Sequence, residues 1–231
     1  MRRLVLFDID GTMLLTAGAG RRAITRALAG VVDDVTAFER VRFDGKTDPQ
    51  IVGELLEAAG HPDPREPATV RALCRDYVGL LERELARNPG RTRVLPGIRE
   101  LLDQLDAEPG VLLGLLTGNL CRGARLKLRA AGIDPARFVI GAYGCDSPHR
   151  PDLPAVAARR AEPHFGRLPA GHEVVIIGDT PADVTCGRGI GARAIGVATG
   201  SYSVDDLLAA GAHAAFTDLG DTTRVVRAIL D

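Results

Sequence analysis

The chain has 231 residues, 45% of them hydrophobic and 26% charged, a globular composition with material for one large domain or two small ones. Its formal net charge of -1 gives no electrostatic reason to expect nucleic acid or an anionic membrane as the main partner. Only two lysines occur, Lys46 and Lys127, so few residues could serve a role that needs an amine.

The sequence opens with Met1-Arg2-Arg3, and the apolar run that follows stops at Asp8. That run is too short for a signal segment or a membrane span, so a soluble, cytoplasmic protein is expected. Residues 4–7 form the first of five short runs rich in Val, Ile and Leu. The others are 111–116, 138–140, 174–177 and 194–197, with a weaker sixth at 214–216. Most do not alternate with polar residues, the pattern of strands covered on both faces in a parallel sheet.

Between residues 16 and 93 no strand stands out. Helical periodicity marks 21–32, 48–59 and 67–87 instead, the last with Val70, Leu73, Cys74, Tyr77, Leu81 and Leu85 on one stripe. Further helices are expected at 96–106, 119–131, 181–189 and 203–210, alternating with the later runs. The fold class is therefore α/β, a doubly wound (Rossmann-like) parallel sheet with an inserted all-helical block. Residues 1–15 and 94–231 would make the core and 16–93 the insertion, with turn residues at both junctions. Cys74, Cys121, Cys145 and Cys186 fit no zinc spacing and read as reduced thiols.

Four segments at or just beyond the ends of apolar runs carry chemistry. Asp8 and Asp10 are two apart, so an extended backbone aims both to one side. Asp-Gly also makes turns, but this pair sits where a buried strand ends, the ligand-binding side of open α/β sheets. Two such carboxylates repel each other in a low-dielectric cleft, and a divalent cation such as magnesium removes the conflict. Gly178-Asp179 ends the 174–177 run, and Asp183 follows one helical turn later. Thr117-Gly118-Asn119 ends the 111–116 run, with backbone N–H groups expected at a helix start, where phosphate binds. Arg150, after the 138–140 run, supplies a fixed cation that could hold a phosphate.

Together, Asp8-Ile9-Asp10-Gly11-Thr12, Thr117, Arg150, and Gly178-Asp179 with Asp183 resemble the haloacid dehalogenase-like hydrolase superfamily, in its phosphatase branch. The match spans the expected core from Leu4 to about Val197. The helical insertion resembles that group's cap, and Gly45–Ile51 ("GKTDPQI") resembles a cap segment of phosphoglycolate-phosphatase-like members. One departure is that the basic residue is usually lysine, and here Arg150 must take its place. The resemblance implies a Mg2+-dependent phosphomonoester hydrolase, with a small phosphorylated metabolite as substrate and an aspartyl-phosphate intermediate. It makes Asp8 the nucleophile and Asp10 the general acid and base. Asp8, Asp10 (through its carbonyl) and Asp179 would face the metal, which Asp183 supports. Thr117, Gly118, Asn119 and Arg150 would hold the phosphoryl oxygens.

Lys46 is expected to face substrate, although Thr47, Asp48, Pro49 and Gln50 after it also read as a plain helix start. Asp10 argues against a dehalogenase, which lacks the second aspartate. A phosphosugar mutase shares the same core, and a phosphonate-cleaving enzyme would use Lys46 for a Schiff base. In a different class, Gly18–Ala23 ("GAGRRA") fits a loose dinucleotide fingerprint but does not directly follow a strand. A non-catalytic binding module would release no phosphate from any monoester.

Overall fold

A computed structural model of the protein describes residues 2–32 and 34–231. Met1 and Asp33, which fall within the expected core and helical block, lie outside the described residues. The first strand, β1 (Arg3–Phe7), is buried along its whole length. A two-residue strand β2 (Leu14–Leu15) leads into helix α1 (Ala19–Leu28), a 3-10 turn at Thr36–Arg40, and helices α2 (Asp48–Ala58) and α3 (Pro67–Arg87). The chain returns through β3 (Arg93–Val94), which pairs antiparallel with β2 and ties the two connecting segments together. There follow α4 (Ile98–Ala107), β4 (Val111–Thr117), α5 (Cys121–Ala130), β5 (Ile140–Tyr143) and α6 (Leu153–Phe165). The chain ends with β6 (Val174–Gly178), α7 (Pro181–Cys186), β7 (Arg193–Val197), α8 (Val204–Ala209), β8 (Ala214–Phe216) and α9 (Thr222–Leu230). Among the described residues, no helix is long and apolar enough to cross a membrane.

Six strands form one sheet in the order β5-β4-β1-β6-β7-β8, and every neighbouring pair is parallel. The chain winds outward from β1 to β5, returns to the other side of β1, and winds outward again to β8. Strand direction is kept while strand order reverses at β1, which opens a crevice at the carboxyl ends of β4, β1 and β6. Alternate residues of each strand serve opposite faces. Val5, Phe7, Leu113 and Leu115 pack with α4, α5 and α9, whereas Leu4, Leu6, Leu116 and Ile140 pack with α6. Both faces are covered, so the runs do not alternate with polar residues. The helical block has a separate core, in which Ile24, Leu28, Leu55, Leu56, Tyr77 and Leu81 meet.

The structure moves several expected boundaries. The helix expected at 21–32 is α1, shifted earlier by Gly18, whose φ of 79° sets the turn before it. The strand expected at 138–140 begins only at Ile140, opposite Gly114, and runs on through Gly141 and Ala142. Those small residues lack the bulk that marks a strand in sequence. "GAGRRA" opens α1 inside the helical block, away from the parallel sheet, so the dinucleotide fingerprint lacks its structural context.

One buried charge secures the sheet to the last helix. The Arg3 side chain donates from Nε to the Ile229 carbonyl at 3.1 Å and from Nη2 to that of Leu230 at 2.7 Å. These carbonyls end α9 and have no partner within the helix. Arg3→Met keeps the stem and removes the donors. It is expected to cost about 2 kcal/mol, a fall in Tm of about 4–8 °C by thermal denaturation. Arg227→Met, at an exposed pair with Asp231, should leave Tm within about 2 °C.

Candidate active site

The carboxyl ends of the three central strands bring together the predicted residues. The Asp8 N–H donates to the Ile177 carbonyl at 2.9 Å, so the ladder runs one residue past β1 and delivers a buried carboxylate into the crevice. Ile9 turns into the core, and Asp10 returns to the crevice side. Gly11, at φ 84°, then reverses the chain where any Cβ would run into the Asp179 carboxylate. Thr12 donates from Oγ1 to Asp179 Oδ1 at 3.0 Å.

Asp8, Asp179 and Asp183 each offer an oxygen within 4.8 Å of the others, and all three are buried. Burial raises the Asp8 pKa, which Arg150 opposes and Asp183 and Asp10 reinforce. Burial also raises that of Asp179, with Asp183 and Asp8 adding to the rise. Among the described residues, Arg150 contributes the one buried cation in direct contact with this trio. Its Nη2 lies 3.3 Å from Asp8 Oδ1 and bonds Asp183 Oδ1, while its buried Nε has no partner among the described residues. Fully ionised, three carboxylates against one guanidinium would carry an excess of two negative charges, and the raised pKa values of Asp8 and Asp179 reflect burial and that cost. An all-oxygen cluster of that charge, without histidine or cysteine, fits a hard dication such as magnesium.

The assigned metal residues separate in a way the sequence did not indicate. Asp183 joins the trio, yet its oxygens also bind Arg150 and, at 2.7 Å, the Thr180 hydroxyl in the capping box of α7. The Asp10 carboxylate turns away from the trio. Its Oδ2 accepts from Lys127 Nζ at 2.5 Å and from Asn119 Nδ2 at 2.7 Å.

The phosphate-binding expectation needs one correction. Thr117 is fully buried, and its hydroxyl also helps hold Asp8 ionised. However, α5 starts at Cys121 and not at Asn119, and the Asn119 N–H folds back onto Thr117 Oγ1 at 3.3 Å. The next amide, Leu120 N–H, donates to Asp48 Oδ2 at 2.7 Å. Gly118 packs so closely against the backbone of Lys46 and Thr47 that a Cβ there would collide. Its carbonyl accepts from Asp48 N–H at 2.7 Å, and the Thr47 hydroxyl donates to the Pro148 carbonyl at 2.7 Å. The start of α2 thereby docks on the crevice.

A cavity of about 290 Å³ lies between the sheet ends and the helical block. Asp8, Asp10, Thr117, Lys127 and Arg150 line it from the sheet side, and Arg21, Phe43, Lys46 and Tyr77 from the helical block. Lys46 reaches this space, and its side chain is paired with Glu54. Sequence reasoning missed Lys127, Asp48 and Tyr77. Lys127 left a trace: it sits between Ala124 and Leu128 on the buried face of α5, where an apolar residue belongs. Burial pushes the pKa of Asp48 up to about 6, against the opposing pull of Lys127 and the Leu120 N–H.

A family model described as haloacid dehalogenase-like hydrolase matches residues 2–191. The chain is 30% identical over 215 residues to "Probable phosphatase IndB" of Dickeya dadantii (strain 3937), covering 91% of this chain and 87% of that protein. Its fold is similar to that of CbbY from Rhodobacter sphaeroides, solved in complex with phosphate, with a TM-score of 0.73, 22% identity and 96% of each chain covered. A predicted phosphoglycolate phosphatase from Haemophilus somnus 129PT has a TM-score of 0.72 at 20% identity, with 97% of this chain and 98% of that one covered.

Proposed function

Because this chain belongs to the haloacid dehalogenase-like hydrolases, we propose that it is a magnesium-dependent phosphomonoester hydrolase working through an aspartyl-phosphate on Asp8. The observation that carries this reading is the buried trio Asp8, Asp179 and Asp183, of which Asp8 and Asp179 line a small cavity. Asp8, Asp179 and the Asp10 carbonyl would hold the metal, with Asp183 supporting them. When bound, the dication neutralises the carboxylates and the substrate's phosphate so that the two can approach.

Asp8 attacks phosphorus, and the bond from phosphorus to the ester oxygen breaks. Asp10 gives that oxygen its proton, and the alcohol leaves. Asp10, now ionised, takes a proton from water. The water oxygen bonds phosphorus, the bond to Asp8 breaks, and phosphate departs with the enzyme restored. Thr117, the Gly118 amide and Arg150 hold the phosphoryl oxygens while charge moves across them, and Asn119, whose donors are already taken, holds Thr117 in place. The uncatalysed reaction is so slow that positioning and charge compensation must remove on the order of 20 kcal/mol from the barrier.

Residues 16–93 act in this reading as a cap over a core of 1–15 and 94–231, and exclude water during transfer. Arg21, which lines the cavity and pairs with no carboxylate among the described residues, favours a small leaving group that is itself anionic, such as that of 2-phosphoglycolate. Free phosphate is the readout, measured over a panel of phosphomonoesters with magnesium present. Turnover of para-nitrophenyl phosphate is expected, with higher kcat/KM for small anionic alkyl phosphates. No phosphate from any monoester would overturn the proposal, and isomerised sugar phosphate without phosphate release would indicate a mutase.

A further inference from the structure

Lys127 has no role in the chemistry above. It is 4% exposed, on a helix face otherwise given to Gly123, Ala124 and Leu128. An ammonium is costly to bury unless hydrogen-bonded to anions or strong acceptors. Here Nζ donates to Asp10 Oδ2 and to Asn119 Oδ1, each at 2.5 Å. Asn119 Nδ2 donates in turn to Asp10 Oδ2 at 2.7 Å and to Thr117 Oγ1 at 2.8 Å. The ring Lys127–Asn119–Asp10 is closed, and it fixes the Asn119 amide, because only its oxygen can face an ammonium.

We propose that Lys127 is a positioning residue for proton transfer, which clamps Asp10 by Oδ2 and so reserves Oδ1 as the oxygen that exchanges a proton with the leaving group. This rests on the reading of Asp10 as the general acid and base. Oδ2 receives two donors, and Oδ1 receives none from the described residues. An oxygen already accepting from an ammonium and an amide has little capacity left to carry a proton toward substrate. The Asp10 side chain is 43% exposed, so without the clamp it could turn into other rotamers. A proton donor must lie within hydrogen-bond reach of the departing oxygen, so losing that orientation costs rate only where departure needs a proton.

Leaving-group dependence tests this. Nitrophenolate departs without a proton, and an alkoxide does not. With saturating magnesium, kcat/KM is measured for para-nitrophenyl phosphate and for glycerol phosphate. Asp10→Asn is expected to lower the glycerol phosphate value about 10²–10⁴-fold, and the aryl value far less. Lys127→Met should show the same bias, at least tenfold between the two esters, and Lys127→Met added to Asp10→Asn should not increase the bias further. Equal losses on both esters, or none, would overturn the role of Lys127. If Asp10→Asn itself shows no bias, the acid assignment fails instead.

Lys127→Met also strips a neighbouring cation from buried Asp48 and so could fail to fold. Asp48→Asn/Lys127→Met, compared with Asp48→Asn alone, gives the same ratio without that unbalanced charge. A bias under threefold in that comparison would overturn the proposal.

Discussion

Asp8→Asn is expected to lower phosphate release at least about 10⁴-fold while the fold stays intact. Asparagine has the shape of aspartate, but its amide is a far weaker nucleophile toward phosphorus. Nothing beside Asp8 can take its place. Asp179 is tied to Thr12, Asp183 to Arg150 and Thr180, and Asp10 to Lys127. The substitution also removes one of three buried carboxylates that repel each other. Arg150 loses a counter-charge at Asp8 but keeps Asp183. These changes oppose one another, so Tm in chelator should stay within about 4 °C of the parent. Rapid quench with radiolabelled substrate should find phosphorylated protein in the parent and none in the variant. Turnover at the parent rate by a well-folded Asp8→Asn protein would end the covalent mechanism.

The parts of the site that hang from strand ends were legible in the sequence. Asp8, Thr117 and Asp179 each follow a run of buried residues, and parallel strands present their carboxyl ends on one side, so one-dimensional order gave a three-dimensional cluster. Arg150 was readable for a related reason, because it follows β5 and precedes the helix that returns along the sheet. What escaped depends on contacts between distant segments. Lys127 lies ten residues beyond Thr117, and only the docking of α5 under the crevice puts its amine on Asp10. Asp48 looked like an ordinary acid in a first helical turn. Its burial comes from α2 meeting the 117–120 loop, which no local pattern encodes. Arg3 read as part of a charged start to the chain, yet its partners lie more than 220 residues away. Short-range physics set the elements, and the packing of the helical block against the sheet ends set the finer chemistry.

Exhaustive chelation is expected to abolish activity, and added magnesium to restore it, because without a dication the buried carboxylates can ionise together only against their mutual repulsion. A doubly negative ester brought beside them meets like charge at a few ångströms in a buried site, where repulsion is weakly screened. Arg150 cannot offset this alone, since it already faces Asp8 and Asp183. The same ion should stabilise the fold by binding only the folded chain. At one hundred times its Kd, magnesium should add about 2.7 kcal/mol, a rise in Tm of about 5–11 °C. Asp179→Asn separates the electrostatic account from a general need for salt. It removes a carboxylate that Gly11, Gly200 and Thr12 cradle, with no cation in contact among the described residues. In chelator the variant should melt no lower than the parent, because a buried carboxyl that repels its neighbours when ionised is gone and the Thr12 bond survives. With magnesium it should show neither the rise in Tm nor recovered turnover. Full activity after chelation would mean that the carboxylates are not compensated by a dication, and a normal magnesium shift in Asp179→Asn would place the ion elsewhere.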